Sequence, residues 1–297
     1  VLCGAASTRT VWREGGYEGR ACACGTVYVD PEPPPGAVDF TRDLHPDSFY
    51  ALPAAAKVAW LARHRPPSRG RRLLEVGCGE GFFLAAARDR GYEVAAIEPH
   101  ADRAARVGVG LGVPVACEYI EATTLPPASF DVVYHCDLLS HFAAPVAALQ
   151  AMKALLRPGG ALCFEAGIHA GFSPVWYRLI GSMGYPMHRW FYTTDGLRTL
   201  LDQAGLRVEA WQRFGLAPYV LASDASRVLR KPLSLVAGWA ERRRAAGDRA
   251  WLPTVRDVDA AHERFENFMR YRVARFAPAV GPQTLWVIAV PDQDQDR

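Results

Sequence analysis

Between Arg72 and Gly167 short apolar runs alternate with stretches of helical spacing, and this alternation constrains the fold more than any other feature of the chain. RLLEV (72–76), EVAAIEP (93–99), VPVACE (113–118), FDVVYHC (130–136) and GALCFEAG (160–167) read as strands, with helices expected over 81–90, 100–111 and 143–157. Strands that are apolar along both faces must be covered on both sides, which calls for a parallel sheet sandwiched by helices. A helix over 194–204 and strands LRVEAWQRF (206–214) and TLWVIAV (284–290) complete the pattern. The residues between those last two strands include a further helix, with Thr254 as its N-cap and Val258, Phe265, Phe268, Met269, Val273 and Phe276 as its apolar stripe.

The expected architecture is therefore α/β, with a seven-stranded, mostly parallel sheet and a helical insertion before the last strand. A short, loop-like cysteine-bearing segment and a proline-stiffened linker, DPEPPPG (30–36), occupy residues 1–36. The main domain covers 37–297, opening with a helix from Ser48 to His64. Within it, 165–192 has the aromatic, Gly/Pro-punctuated look of a lid, including Glu165, His169, Trp176, Tyr177, Trp190 and Tyr192, and 216–283 forms the insertion.

At 297 residues, with half of them hydrophobic and 22% charged, the chain can bury one large core. A formal net charge of +3 gives no reason to expect a nucleic-acid or membrane partner. Lys57, Lys153 and Lys231 are the only lysines. Arginines clustered over 227–244 are either a solvated helix face or a greeting for an anionic substrate. No apolar run approaches the roughly 20 residues that span a bilayer, and no signal-peptide pattern is visible. The odd number of cysteines, seven, reads as reduced thiols in a cytoplasmic protein. Nothing in the sequence indicates an oligomeric state.

The chemistry concentrates in LLEVGCGEGFF (73–83), where Glu75 precedes three glycines at alternate positions. Glycine is kept where backbone must turn tightly or lie close to a ligand. The dinucleotide fingerprint G-x-G-x-x-G is not met, because position 82 is Phe. The spacing E-x-G-x-G-x-G instead resembles the first motif of class I S-adenosylmethionine-dependent methyltransferases. FDVVYHCDLLSHF (130–142) resembles that family's fourth-strand motif, LRPGG (156–160) the turn into its fifth strand, and IEATTLPPASF (120–130) the stretch before its fourth. The resemblance covers roughly 45–215 and the final strand.

That resemblance implies a Rossmann-like fold of class I methyltransferase type, with S-adenosyl-L-methionine as cofactor. It implies cofactor contacts from Glu75, Gly77, Cys78, Gly79 and Gly81 at the methionine end and from Glu98 and Pro99 at the ribose. Glu121 and the Ala122 N–H would face the adenine, and His135 would contribute mainly through its backbone. It implies methyl transfer to a small-molecule acceptor, most simply O-methylation of a biosynthetic intermediate. His141, His188 and Asp137 are the catalytic candidates, with the histidines as bases, although His141 reads somewhat more readily as a residue packed at a helix start. Relatives that hold a metal in this turn carry an extra carboxylate where Ser140 stands, which argues against a catalytic ion. Cys3, Cys22 and Cys24 resemble a zinc-ribbon knuckle, either completed by a fourth ligand upstream of Val1 or degenerate with free thiols. Two other functions stay open: a cofactor-binding enzyme catalysing a different reaction such as cyclisation, and a non-catalytic knuckle module that recruits a partner.

Overall fold

The computed structural model describes residues 4, 9–34, 37, 47–215, 232–245, 254–276 and 281–292. They form two compact units, Val1–Arg213 with Pro282–Arg297, and Phe214–Gly281. The first is built on a seven-stranded sheet whose core is a parallel run: β4 (Arg72–Val76), β5 (Glu93–Ile97), β6 (Val115–Ala116), β7 (Phe130–Cys136) and β8 (Leu156–Ile168). With β10 (Leu206–Gly215) and β11 (Gln283–Pro291) the spatial order is β10-β11-β8-β7-β4-β5-β6, and β11 runs antiparallel to β8. This is the mostly parallel sheet the apolar runs predict.

Helices α1 (Asp47–His64), α2 (Phe82–Asp89), α3 (Ala101–Leu111), α4 (Pro145–Ala154) and α6 (Thr194–Gln203) flank it. Strand alternation explains what each face buries. Leu74, Val133, Leu162 and Val287 pack with Leu149 and Met152 of α4 and Leu197, Leu200 and Leu201 of α6. On the other face Phe83 of α2 stacks on Tyr134, centroids 3.5 Å apart, and Trp60 of α1 meets Trp286. Several boundaries depart from the spacing: the third strand shrinks to Val115–Ala116, α4 stops at Ala154, and the fifth strand begins at Leu156. The start of the lid region, Glu165–Ile168, is strand rather than lid.

Residues 9–30 are not loop-like. They fold as a meander of β1 (Thr10–Glu14), β2 (Tyr17–Ala21) and β3 (Val27–Asp30), antiparallel throughout. Its fourth strand is β9 (Trp190–Phe191), which follows α5 (Pro174–Ile180) in the lid region. A satellite core joins Ala21, Val27 and Val29 to Met183, Tyr185 and Phe191.

In the second unit, residues 232–245 form helix α7, and α8 (Val255–Phe268) starts at Thr254 with a capping box to Asp257, as its sequence predicts. Its stripe is only partly covered among the described residues: Val258, Met269 and Val273 are half-buried, while Phe265, Phe268 and Phe276 are exposed. Residues 216–231, 246–253 and 277–280 of the expected insertion lie outside the described residues.

Candidate active site

The loops after β4, β5, β6, β7 and β8 all leave the carboxyl edge of the parallel strands, where open α/β sheets bind ligands. In the first loop Gly77, Gly79 and Gly81 have φ of +70°, +53° and +77°, a region that side chains disfavour. Their surroundings differ. A Cβ on Gly77 would lie 2.8 Å from Leu138 and one on Gly81 2.9 Å from Val107, whereas one on Gly79 would meet nothing within 4 Å. The outer glycines thus let other elements pack closely, and the middle one leaves bare backbone.

Glu98, at the end of β5, is 5% exposed and ties two loops together. Its Oε2 accepts the Gly79 N–H at 3.0 Å and its Oε1 the His100 N–H at 3.1 Å. A carboxylate has about four lone-pair sites, so capacity remains for further donors. Next to it, the Pro99 carbonyl accepts from the Cys117 thiol at 3.7 Å. Cys78 is buried and its thiol is pushed up by that burial, which makes it an inert neighbour rather than a nucleophile.

Glu75 is 4% exposed. Burial raises its carboxyl well above the usual range, against the opposing charge of Lys57 and a bond from the Leu84 amide. Its Oε2 has no hydrogen-bond partner. An orphaned buried carboxylate oxygen costs on the order of 1–3 kcal/mol and asks for a donor. Together with the open backbone at Gly79, it fits a ligand that brings a cationic group to this loop.

Glu121 and Ala122 sit in a 3-10 turn, Ile120–Ala122, before β7. Both are exposed, and the Ala122 N–H donates to the Tyr119 carbonyl at 3.1 Å, so it is already engaged within the turn. His135 lies inside β7, fully buried, its ring stacked on Phe164 at 4.9 Å. Neither ring nitrogen has a partner, and burial lowers its pKa to about 3. It is a neutral core residue.

Beyond β7, Asp137 is exposed at φ +54°, its N–H held by the Glu165 carbonyl at 2.9 Å. The next residues are clasped by the lid region. The Ser140 carbonyl accepts the Arg189 N–H at 2.6 Å, the Phe142 carbonyl accepts the Trp190 indole at 2.8 Å, and the Leu139 carbonyl accepts the Tyr192 hydroxyl at 3.0 Å. This brings His141 and His188 together, ring centroids 4.9 Å apart. His141 Nδ1 is 2.9 Å from the Met187 carbonyl and His188 Nδ1 is 3.0 Å from that of Met183. A carbonyl can only accept, so each Nδ1 carries the proton, and in the neutral tautomer the ring lone pair lies on Nε2. Burial, with His188 alongside, lowers the His141 pKa and favours that neutral form.

Sequence reasoning did not find the polar cluster on the α1 side of the sheet. Lys57 Nζ lies 3.0 Å from both Glu165 Oε2 and Cys136 Sγ, and the same Glu165 oxygen accepts the Trp286 indole at 2.6 Å. One signal was present: Lys57 is a rare lysine inside the apolar run ALPAAAKVAW (51–60).

Among the described residues no group of three or more His, Cys, Asp or Glu is placed to hold a metal ion. The zinc knuckle is therefore not supported. Cys3 lies outside the described residues, while Cys22 and Cys24 fall in the β2–β3 turn, where Cys24 packs against the main core. Two thiols are short of a closed tetrahedral set. No helix among the described residues is long and apolar enough to cross a membrane.

Comparison with known proteins identifies the family. A family profile described as "Methyltransferase domain" matches residues 49–210, more than half of the chain. A ubiquinone biosynthesis O-methyltransferase from Parvibaculum lavamentivorans is 27% identical over 161 residues, 50% of this chain and 63% of that protein. A tRNA U34 carboxymethyltransferase from Syntrophotalea carbinolica is 34% identical over 116 residues, 37% of this chain and 36% of that protein. The chain thus spans less than two thirds of the length of these relatives. Among solved structures, the (4+2)-cyclase SpnF shares the fold at a TM-score of 0.51 and 20% identity, over 80% of each chain. With the sheet order, the glycine loop and the matched profile in agreement, the chain belongs to the S-adenosylmethionine-dependent methyltransferases of class I.

Proposed function

We propose that this protein methylates a hydroxyl of a small-molecule acceptor, with S-adenosyl-L-methionine as methyl donor. The observation that carries the acceptor reading is the His141–His188 pair beside the carboxyl edge of β7, each ring with Nδ1 bound to a carbonyl. The orphaned Glu75 oxygen supports a role in accepting the cofactor's ammonium, and Glu98 one in accepting its ribose hydroxyls. The Gly79 backbone would lie against the cofactor. When bound, the cofactor supplies an electrophilic methyl on a sulfonium. The chain's own contribution would be placement: Glu75 and Glu98 would orient the donor, the lid would exclude water, and an Nε2 of the histidine pair would take the acceptor's proton. His141 is the first choice for that base, with His188 beside it and Asp137 near enough in sequence to favour the imidazolium that forms.

Label from methyl-labelled cofactor should appear in a small-molecule acceptor from a panel of phenols and alcohols. Label found in RNA instead would overturn the acceptor class, and turnover without label would mean a non-transferring reaction such as cyclisation. His141→Asn preserves a hydrogen-bonding side chain but cannot act as the base. It should lower turnover about 10²–10⁴-fold, with cofactor affinity unchanged. Turnover within about threefold of wild type, below the smallest effect expected of a positioned base, would reduce His141 to a structural residue.

A further inference from the structure

We propose that Glu14, on the first strand of the N-terminal sheet, is a positioning residue for His188, so that a sheet outside the methyltransferase fold sets the acceptor side of the site. The functional half of this inference rests on the role proposed above for His188. The connection is a short relay of hydrogen bonds. Glu14 accepts the Ser182 hydroxyl at 2.5 Å through Oε1 and the Met183 N–H at 2.8 Å through Oε2. The carbonyl of that same Met183 accepts the His188 Nδ1–H at 3.0 Å. One residue therefore has its N–H held by β1 and lends its carbonyl, in the following peptide unit, to the imidazole. Bonds to an ionised carboxylate are the stronger kind, which makes this the firmest polar tie on the turn.

The turn has little room to relax. Gly184 sits at φ +72°, and a Cβ there would lie 2.8 Å from His188 Nδ1. The His188 N–H donates to the Gly184 carbonyl at 3.1 Å, closing the backbone around the ring. Downstream, Val29 N–H donates to the Arg189 carbonyl at 3.0 Å, and Val27 and Tyr28 pair with Phe191 and Trp190. Gly19 is needed because a Cβ would overlap the Tyr185 hydroxyl. His188 is thus bracketed in sequence by attachments to β1 on one side and β3 on the other. The N-terminal sheet is the foundation of the lid, and its acidic corner orients the lid's histidine.

The imidazole nitrogen resonances of His188, assigned by their loss in His188→Asn, give the test in the full chain labelled at histidine nitrogen. At alkaline pH the wild type should show the Nδ1–H tautomer. Glu14→Ala should introduce the Nε2–H tautomer, while Glu14→Gln, whose amide oxygen still accepts the Met183 N–H, should retain the wild-type pattern. In parallel, kcat/KM for the acceptor should fall about 10- to 100-fold in Glu14→Ala, the scale of a small misplacement, with S-adenosylhomocysteine affinity unchanged. A wild-type tautomer in folded Glu14→Ala overturns the proposal. A released tautomer with an unchanged rate upholds Glu14 as the residue that positions His188 and overturns only the catalytic role given to that ring. Should Glu14→Ala not fold, Ser182→Ala removes one of the two bonds and is read the same way: an unaltered tautomer there counts against the relay.

Discussion

His135 should make this protein acid-sensitive, and the effect can be worked from its surroundings. The ring is fully buried in β7, stacked on Phe164, and has no hydrogen-bond partner at either nitrogen. Charging it would place an unpaired cation in the core, so its pKa falls from 6.5 to about 3 on folding. The sign follows from linkage. Between those two values the unfolded chain binds a proton that the folded chain refuses, so this contribution is complete above pH 6.5 and is lost as the pH falls toward 3. At about 1.4 kcal/mol per pH unit the full loss is on the order of 5 kcal/mol, comparable to the whole stability of many domains. His135→Phe keeps a flat ring for the Phe164 stack and removes the ionisation. Urea unfolding of both proteins across acid pH should give a difference in stability that changes in the variant's favour by about one proton's slope below pH 6.5. At neutral pH the variant should match or exceed wild type, because two orphaned nitrogens that cost about 1–3 kcal/mol are gone. Parallel pH profiles for the two proteins would refute the reasoning. They would mean that His135 finds a partner or opens to water at little cost.

Other consequences are equally specific. Gly79→Val would project a branched side chain into the open space over the loop at φ +53°, and calorimetry should show S-adenosylhomocysteine binding abolished in a protein that still folds; retained affinity would move the cofactor elsewhere. Because burial raises the Glu75 carboxyl while an ammonium ligand demands the carboxylate, cofactor binding should release a proton as the pH falls into the range where that carboxyl protonates. Calorimetry in buffers of different ionisation enthalpy would detect it, and an identical proton count in Glu75→Gln would contradict the assignment. Lys57→Met would remove the counter-charge from the Glu165 carboxylate, which is 3% exposed, and should destabilise the fold by about 3–5 kcal/mol. Adding Glu165→Leu should restore most of that loss, and a double variant no better than the single one would show that the ion pair is not the reason.

The sheet was legible in the sequence because a strand covered on both faces must be apolar throughout, and RLLEV, FDVVYHC and TLWVIAV state that requirement residue by residue. The glycine loop was legible for a related reason: positive φ leaves few alternatives to glycine, and an acidic residue before three of them is a rare local pattern. What the sequence could not order were relations between distant segments. Residues 9–30 read as loop because strands of four or five residues with mixed polarity carry little signal until a partner is known, and β9, one of those partners, lies some 160 residues away. Lys57 and Glu165 looked like an isolated lysine and a lid carboxylate, and only the packing of α1 over β8 made them a pair. The alternation also left the faces of β7 undecided, and tertiary structure alone put the His135 ring in the core while the loop after that strand brought His141 to His188. Periodicity reports how much of a segment is buried, whereas the chemistry of a site depends on which segments meet, and in this protein that is settled by the strand order, the close packing at Gly77 and Gly81, and the hydrogen bonds that pin the lid region.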